Sequence, residues 1–276
     1  MATTDLHFIS GSLRPCKSGV RFLGGAVDDQ IQINASGAAM ANVSTHGTIS
    51  AWFMVPDNTG QYGIVSYGDA SVVEFIQINV EAGTILVQCT DNTTAQWDYN
   101  TASGTVKPHT WHHVALVQDG SQPKVYLDGN DMALTTTTGT APASWFKACA
   151  GIDSGSIGCN EDGGDGGLTE ELKGYVSDVR VWAGTTTASA LSAAEVNRVM
   201  SGEVLGTEFN LWKLDGDVVD AGSGADNGTI VGDLVYSQAN PFASRLTFLE
   251  TVPLTADNIS IMCDDGVGYA YSVLAA

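Results

Sequence analysis

The chain predicts an all-β fold, a two-sheet antiparallel sandwich, and three observations carry that prediction. Its apolar segments are short and alternate apolar with polar residues at period two. Turn-forming residues, 32 glycines among them, separate these segments, and only one stretch carries the signals of a helix. With 276 residues, 43% hydrophobic and 15% charged, the chain can bury a full core as one large β domain or two small ones.

Gln30-Ile31-Gln32-Ile33 alternates cleanly, and Thr48 to Val55 reads as a strand stopped by Pro56 and the turn Asp57-Asn58-Thr59-Gly60. Gly63 to Ser66, Val72 to Asn79 and Thr84 to Thr90 follow as strands; Asp91 to Thr94 makes a turn before Trp97-Asp98-Tyr99. Trp111 to Gln118 and Lys124 to Leu127 form a hairpin across Asp119-Gly120-Ser121-Gln122, with Asp128-Gly129-Asn130 as a second tight turn. Gly151 to Gly167 is small, acidic and glycine-rich, so it is expected to be a loop throughout. Gly174 to Ala183 resumes strand character. Ser189 to Met200 is the single short helix, where Ser192 caps, Glu195 completes a capping box, and Leu191, Val196, Val199 and Met200 form an apolar stripe. Phe209 to Leu214 is a further strand. From about Pro241 the pattern changes to three more strand-like runs, so the chain divides into a sandwich over 1–240 and a carboxyl-terminal β extension over 241–276.

Lys and Arg number 11 against 31 acidic residues, a formal net charge of −20. Such a surface repels phosphate backbones and anionic lipid, which excludes nucleic acid and anionic membrane as partners. No window reaches the roughly 18 consecutive apolar residues of a membrane span. The start Met-Ala-Thr-Thr-Asp-Leu-His lacks the charged and apolar regions of a secretory signal, and a retained Met1 argues against signal cleavage. Cysteines 16, 89, 149, 159 and 263 are odd in number and lack metal-ligand spacing; Cys149 and Cys159 are either a local disulfide or two separate core thiols.

Four segments in order carry a resemblance: Val20 to Ile33, with its strand, Gly/Asp turn and strand; Gly47-Thr48-Ile49-Ser50-Ala51-Trp52-Phe53; Trp111 to Val117 with Lys124-Val125-Tyr126-Leu127-Asp128-Gly129; and Gly174 to Trp182 followed by Leu191 to Val196. Together they resemble the laminin G-like jelly rolls of the concanavalin A-like lectin and glucanase superfamily, over roughly residues 5 to 240. The resemblance implies a concanavalin A-like jelly roll whose two sheets stack about 10 Å apart. It does not by itself assign function, because lectins, glucanases, adhesion modules and structural domains share this fold.

Glycosidases of that superfamily carry a Glu-x-Asp-x-x-Glu strand that places nucleophile and acid/base on one face. No such motif occurs here, so no catalytic residues are assigned and the chain is expected not to be an enzyme. His112 and His113 stand at a strand position of the family and are expected to be packed or hydrogen-bonded. Asn160, Glu161, Asp162 and Asp165 offer hard oxygen ligands on a glycine-rich loop and form a candidate calcium site. Asp28, Asp29 and Asp128 are alternative donors by resemblance, or turn-stabilising carboxylates. For glycan binding, Trp97, Tyr99 and Asn100, or Tyr62 and Tyr67, are candidate platforms near loops, although aromatics of a sandwich more often pack inward.

The favoured reading is a noncatalytic structural or adhesion protein displayed on a larger assembly, such as a decoration protein of a virus head, with weak glycan binding as a compatible property. Its partners would be copies of itself or a capsid surface, reached by strand addition through the extension, and polysaccharide. The location that follows is the virion surface, or alternatively the cell surface or extracellular space. A calcium-dependent carbohydrate-binding lectin is the alternative, and a glycoside hydrolase the second alternative.

Overall fold

The computed structural model describes residues 19–24, 29–162 and 168–236, together with the strand residues 261–262 and 268–269. The chain divides into two compact units, Gly19–Tyr236 and a second made of residues 1–18 and 237–276. In chain order the first unit carries β1 (Val20–Phe22), β2 (Gln30–Gln32), α1 (Asn34–Met40), β3 (His46–Met54), β4 (Gln61–Gly68), β5 (Phe75–Glu81), β6 (Thr84–Asp91) and β7 (Thr94–Asn100). It continues with β8 (His112–Gln118), β9 (Lys124–Leu127), β10 (Asn130–Asp131), β11 (Thr135–Thr138), β12 (Ser154–Ile157) and β13 (Gly174–Gly184). α2 (Ala193–Met200), β14 (Asn210–Trp212), β15 (Thr229–Val231) and β16 (Val235–Tyr236) complete it. In the second unit Ile261–Met262 pairs antiparallel with Gly268–Tyr269; the expected strand over Arg245 to Glu250 lies outside the described residues.

Two eight-stranded antiparallel sheets make the sandwich. The first runs β10-β9-β8-β3-β13-β1-β16, with β14 also paired to β13, and the second runs β11-β7-β6-β5-β4-β12-β2-β15. The alternation read in the sequence sets which face each strand buries. On β5, Ile76, Ile78 and Val80 enter the core, as do Ile85, Val87 and Cys89 on β6; Ile49, Ala51 and Phe53 of β3 come from the opposing sheet. The outer face of the first sheet has its own cover. Ala115, Val117, Tyr126 and Trp182 pack with Leu191, Val196 and Val199 beside and on α2. Helix α2 starts with the anticipated capping box, Ser192 accepting from the Glu195 backbone while the Glu195 side chain accepts from the Ser192 backbone.

Polar residues of the resembling segments tie the fold together. Asp128, held at φ 51° before Gly129 at φ 80°, accepts from His112 Nδ1 at 2.9 Å and from the His113 backbone at 3.0 Å. The Lys107 backbone donates to His112 Nε2 at 3.0 Å, so the ring proton sits on Nδ1. Arg180 of β13 is buried and meets Asp178 through two bonds of 2.9 Å and Glu208 at 3.5 Å. This ion group lies at the bulge between Ser177 and Arg180, where Asp178 takes φ 51°.

Two expectations are corrected, and of the two readings left open for Cys149 and Cys159 the structure shows separate core thiols. The segment Gly151 to Gly167 is not loop throughout, because β12 inserts between β4 and β2. Its small residues are what admit it: a Cβ on Gly155 would stand 2.7 Å from the Tyr67 ring. A second short helix, α1, is present without a side-chain cap, and buries Ser36, Gly37 and Met40. Cys149 lies not against Cys159 but 3.4 Å from Cys89, while Cys159 contacts Ser156 at 2.7 Å. Burial pushes the Cys89 thiol well up.

Replacing Arg180 with Leu strands two buried carboxylates, and should lower unfolding free energy by about 3–5 kcal/mol in chemical denaturation; a loss under about 1 kcal/mol contradicts the burial argument. Ser192→Ala should cost about 1 kcal/mol by the same measurement, through loss of the cap.

Candidate amide face of the second sheet

The side of β5, β6 and β7 opposite the core is lined by amides and carboxamide-length acids. Strand register aligns them into rows. Ser66 on β4 pairs with Gln77 on β5, Gln77 with Gln88 on β6, and Gln88 with Asp98 on β7. In the other direction Ser66 pairs with Ser156 on β12, and Ser156 with Gln32 on β2, so the polar row crosses six strands. Gln77 Nε2 donates to Gln88 Oε1 at 2.6 Å, and Gln88 Nε2 donates to Asp98 Oδ2 at 3.0 Å. The next row places Asn79 opposite Leu86, and Leu86 opposite Asn100.

These groups are only partly satisfied. Gln77 is 2% exposed and Asn79 1%, yet among the described residues Gln77 Oε1 and both polar atoms of the Asn79 side chain find no hydrogen-bond partner. Asn100 donates to Thr137 at 3.2 Å, while its Oδ1 bonds no described residue. A buried polar atom left unpaired costs about 1–3 kcal/mol, so these atoms weigh against folding stability. Gln88, Asp98 and Asn100 are half-buried, so the face opens toward β6 and β7.

At the other side the chain itself lies on the sheet. β4 offers Gln61, Gly63, Ser66 and Gly68 outward, and a Cβ on Gly68 would collide with the Glu161 carbonyl oxygen. The Glu161 backbone donates to Ser66 Oγ at 3.0 Å. Asn160 is fully buried there; its amide nitrogen donates to Glu170, and its Oδ1 is a further orphan. Burial is the main cause of the raised carboxyl pKa values around the face. It pushes Glu170 up to about 6, with Asp162 and Glu81 adding repulsion, and it raises Glu161. Burial also raises Asp98, against hydrogen bonds from Gln88 and Thr137.

Of the five expected glycan residues, Asn100 alone belongs to this face. Trp97, Tyr99, Tyr62 and Tyr67 are buried in the sandwich core and offer no open ring to a sugar. Trp97 stacks on Tyr99 and Trp145, with Nε1 donating to the Ser144 carbonyl at 2.9 Å. Tyr67 meets Phe146 edge-on, and Tyr62 donates to Asp57 at 2.8 Å, its phenol pushed up to about 12 chiefly by burial. The expected calcium ligands do not converge. Asn160 turns to Glu170, Glu161 accepts from Ser154 at 3.2 Å, and Asp162 accepts from Thr169 at 2.6 Å; Asp165 lies outside the described residues. Among the described residues no group of three or more His, Cys, Asp or Glu side chains is placed to hold a metal ion. Asp29 accepts from the Asp233 backbone at 2.9 Å, a structural role like that of Asp128, and Asp28 lies outside the described residues.

The sequence did contain a signal for the amide face. Gln77, Asn79, Gln88, Asp98 and Asn100 are polar members of the period-two strands, and all but Asp98 are amides where a merely solvated sheet favours Thr, Lys and Glu.

The profile of the concanavalin A-like lectin/glucanases superfamily matches residues 23–197. No curated protein sequence matches the chain. Among solved structures, the CBM40 of the Ruminococcus gnavus IT-sialidase bound to α2,3 sialyllactose is similar with a TM-score of 0.54 at 16% identity, over 67% of this chain and 97% of that one. The native heptameric SAP-like pentraxin of Limulus polyphemus gives 0.53 at 16% identity, over 80% and 94%. A mutant NanB sialidase from Streptococcus pneumoniae gives 0.52 at 15% identity, and the match takes in 66% of this chain but 28% of the sialidase. Identities this low speak for the fold, and the fold agrees with the profile and with the sheet order. The chain belongs to the concanavalin A-like lectin/glucanases superfamily.

Proposed function

We propose that the chain is a noncatalytic carbohydrate-binding protein whose site is the outer face of β5, β6 and β7. The observation that carries this reading is the row of half-buried Gln88, Asp98 and Asn100 on that face, backed in register by the buried side-chain amides of Gln77 and Asn79. Sugar hydroxyls both donate and accept, which suits side-chain amides that do the same and a carboxylate that accepts. The CBM40 neighbour, bound to sialyllactose, lends support through fold alone. The noncatalytic part rests on the missing Glu-x-Asp-x-x-Glu strand and on a likeness that takes in only part of the sialidase chain.

Display on a virus particle or cell surface is a second reading. It is favoured by the paired strands Ile261–Met262 and Gly268–Tyr269, which lie in a unit other than the sandwich. Co-sedimentation of the chain with a particle at fixed copy number supports it; recovery solely as a small free species refutes it.

The site reading predicts a dissociation between binding and stability. Asn79→Leu and Gln88→Ala should each weaken binding to the best ligand of a polysaccharide panel by about tenfold or more in calorimetry, about 1.4 kcal/mol. Asn79→Leu should leave the thermal midpoint no lower than wild type, because it removes polar atoms that have no partner. Unchanged affinity in both variants rejects the site.

The acid end of the face carries a pH signature. Glu170 sits above its ordinary 4.5 at about 6, so its protonated form is favoured by folding. That contribution is present below about 4.5 and is lost as pH rises through about 6. Wild type should therefore lose stability across this window relative to Glu170→Gln in denaturation at several pH values. Parallel curves for the two proteins contradict the assignment.

A further inference from the structure

We infer that the amide face selects neutral glycans and discriminates against those bearing carboxylates, such as sialylated or uronate chains. This rests on the site reading above and adds the class of ligand. The eight strands of the second sheet contain no Lys, Arg or His. They do contain Glu81, Asp91 and Asp98, and Asp98 terminates the Gln77–Gln88 hydrogen-bond chain. The segment lying on β4 adds Glu161 and Glu170.

Recognition of a carboxylate calls for charge-assisted donors, most effectively the two-pronged guanidinium of arginine. The arginines of the sandwich are engaged elsewhere. Arg180 is buried with Asp178 and Glu208, Arg198 pairs with Glu203, and Arg21 of β1, in the first sheet, lies over Tyr175. An anionic sugar on the amide face would instead lose hydration beside Asp98 and within reach of Glu81, with only neutral amides to answer its charge. A neutral sugar meets the same amides without that penalty. The face therefore differs in chemistry from what a ligand such as sialyllactose requires, although the fold is shared with a protein that binds it.

The test presents the full chain with matched pairs: lactose and sialyllactose, galactan and polygalacturonate, dextran and carboxymethyl-dextran. The expected result is that every ligand bound is a neutral member, with its carboxylated counterpart weaker by about tenfold or more at low salt. Gln88→Lys should narrow that gap, and so should raising the salt to about 0.5 M, which screens the repulsion. Equal or tighter binding of the carboxylated members overturns the selectivity and leaves the glycan site standing. If no member of any pair binds, the glycan site fails, and this inference fails with it.

Discussion

The register between β5 and β6, pairing Gln77 with Gln88 and Ile78 with Val87, is the constraint on which the rest depends. A slip of one residue would send Gln77, Asn79 and Gln88 into the core and expel Ile76, Ile78 and Val87. The same register that closes the hydrophobic interior thus assembles the amide rows on the far side. Core and site are two faces of one pairing, and a fault in either is a fault in both.

The two sheets are finished differently. Helix α2 and its flanking residues lie on the first sheet, where Trp182, Tyr126 and Val117 give them an apolar bed. The second sheet has polar side chains outward, and over β4 it carries only the 159–161 segment, admitted by Gly63 and Gly68. Where that segment lies, Ser66 accepts from the Glu161 backbone and Asn160 donates to Glu170; toward β5 and β7 the side chains bond one another in part, Gln77 to Gln88 and Gln88 to Asp98, while the Asn79 side chain bonds no described residue. Unpaired amides of this kind cost folding stability, and a ligand that supplies the missing bonds recovers it.

Much of the fold was legible in the sequence because local rules and tertiary structure agree there. The alternation of Thr48 to Val55, the Asp128-Gly129 turn and the Ser192–Glu195 box each produce the element they predict. β12 was hidden because Ser154-Gly155-Ser156-Ile157 has weak strand propensity and is recruited by its neighbours β4 and β2. The burial of the candidate aromatic rings follows from strand alternation. Trp97, Tyr99 and Asn100 are close in sequence, but on a strand Asn100 points opposite to the two rings. The aromatic rings lie on the core face of their strands, and the alternate amides lie on the other. The thiol contact of Cys89 with Cys149 spans sixty residues and left no local trace.

The most direct test of the central claim is a side-chain amide NMR titration of the full chain with a neutral oligosaccharide. The account predicts saturable shifts of the Gln77, Asn79, Gln88 and Asn100 amide resonances, while Asn42 and Asn197, bonded to the Ala150 and Ala193 carbonyls elsewhere, stay fixed. Perturbation of Asn42 or Asn197 with the four face amides unmoved would contradict it.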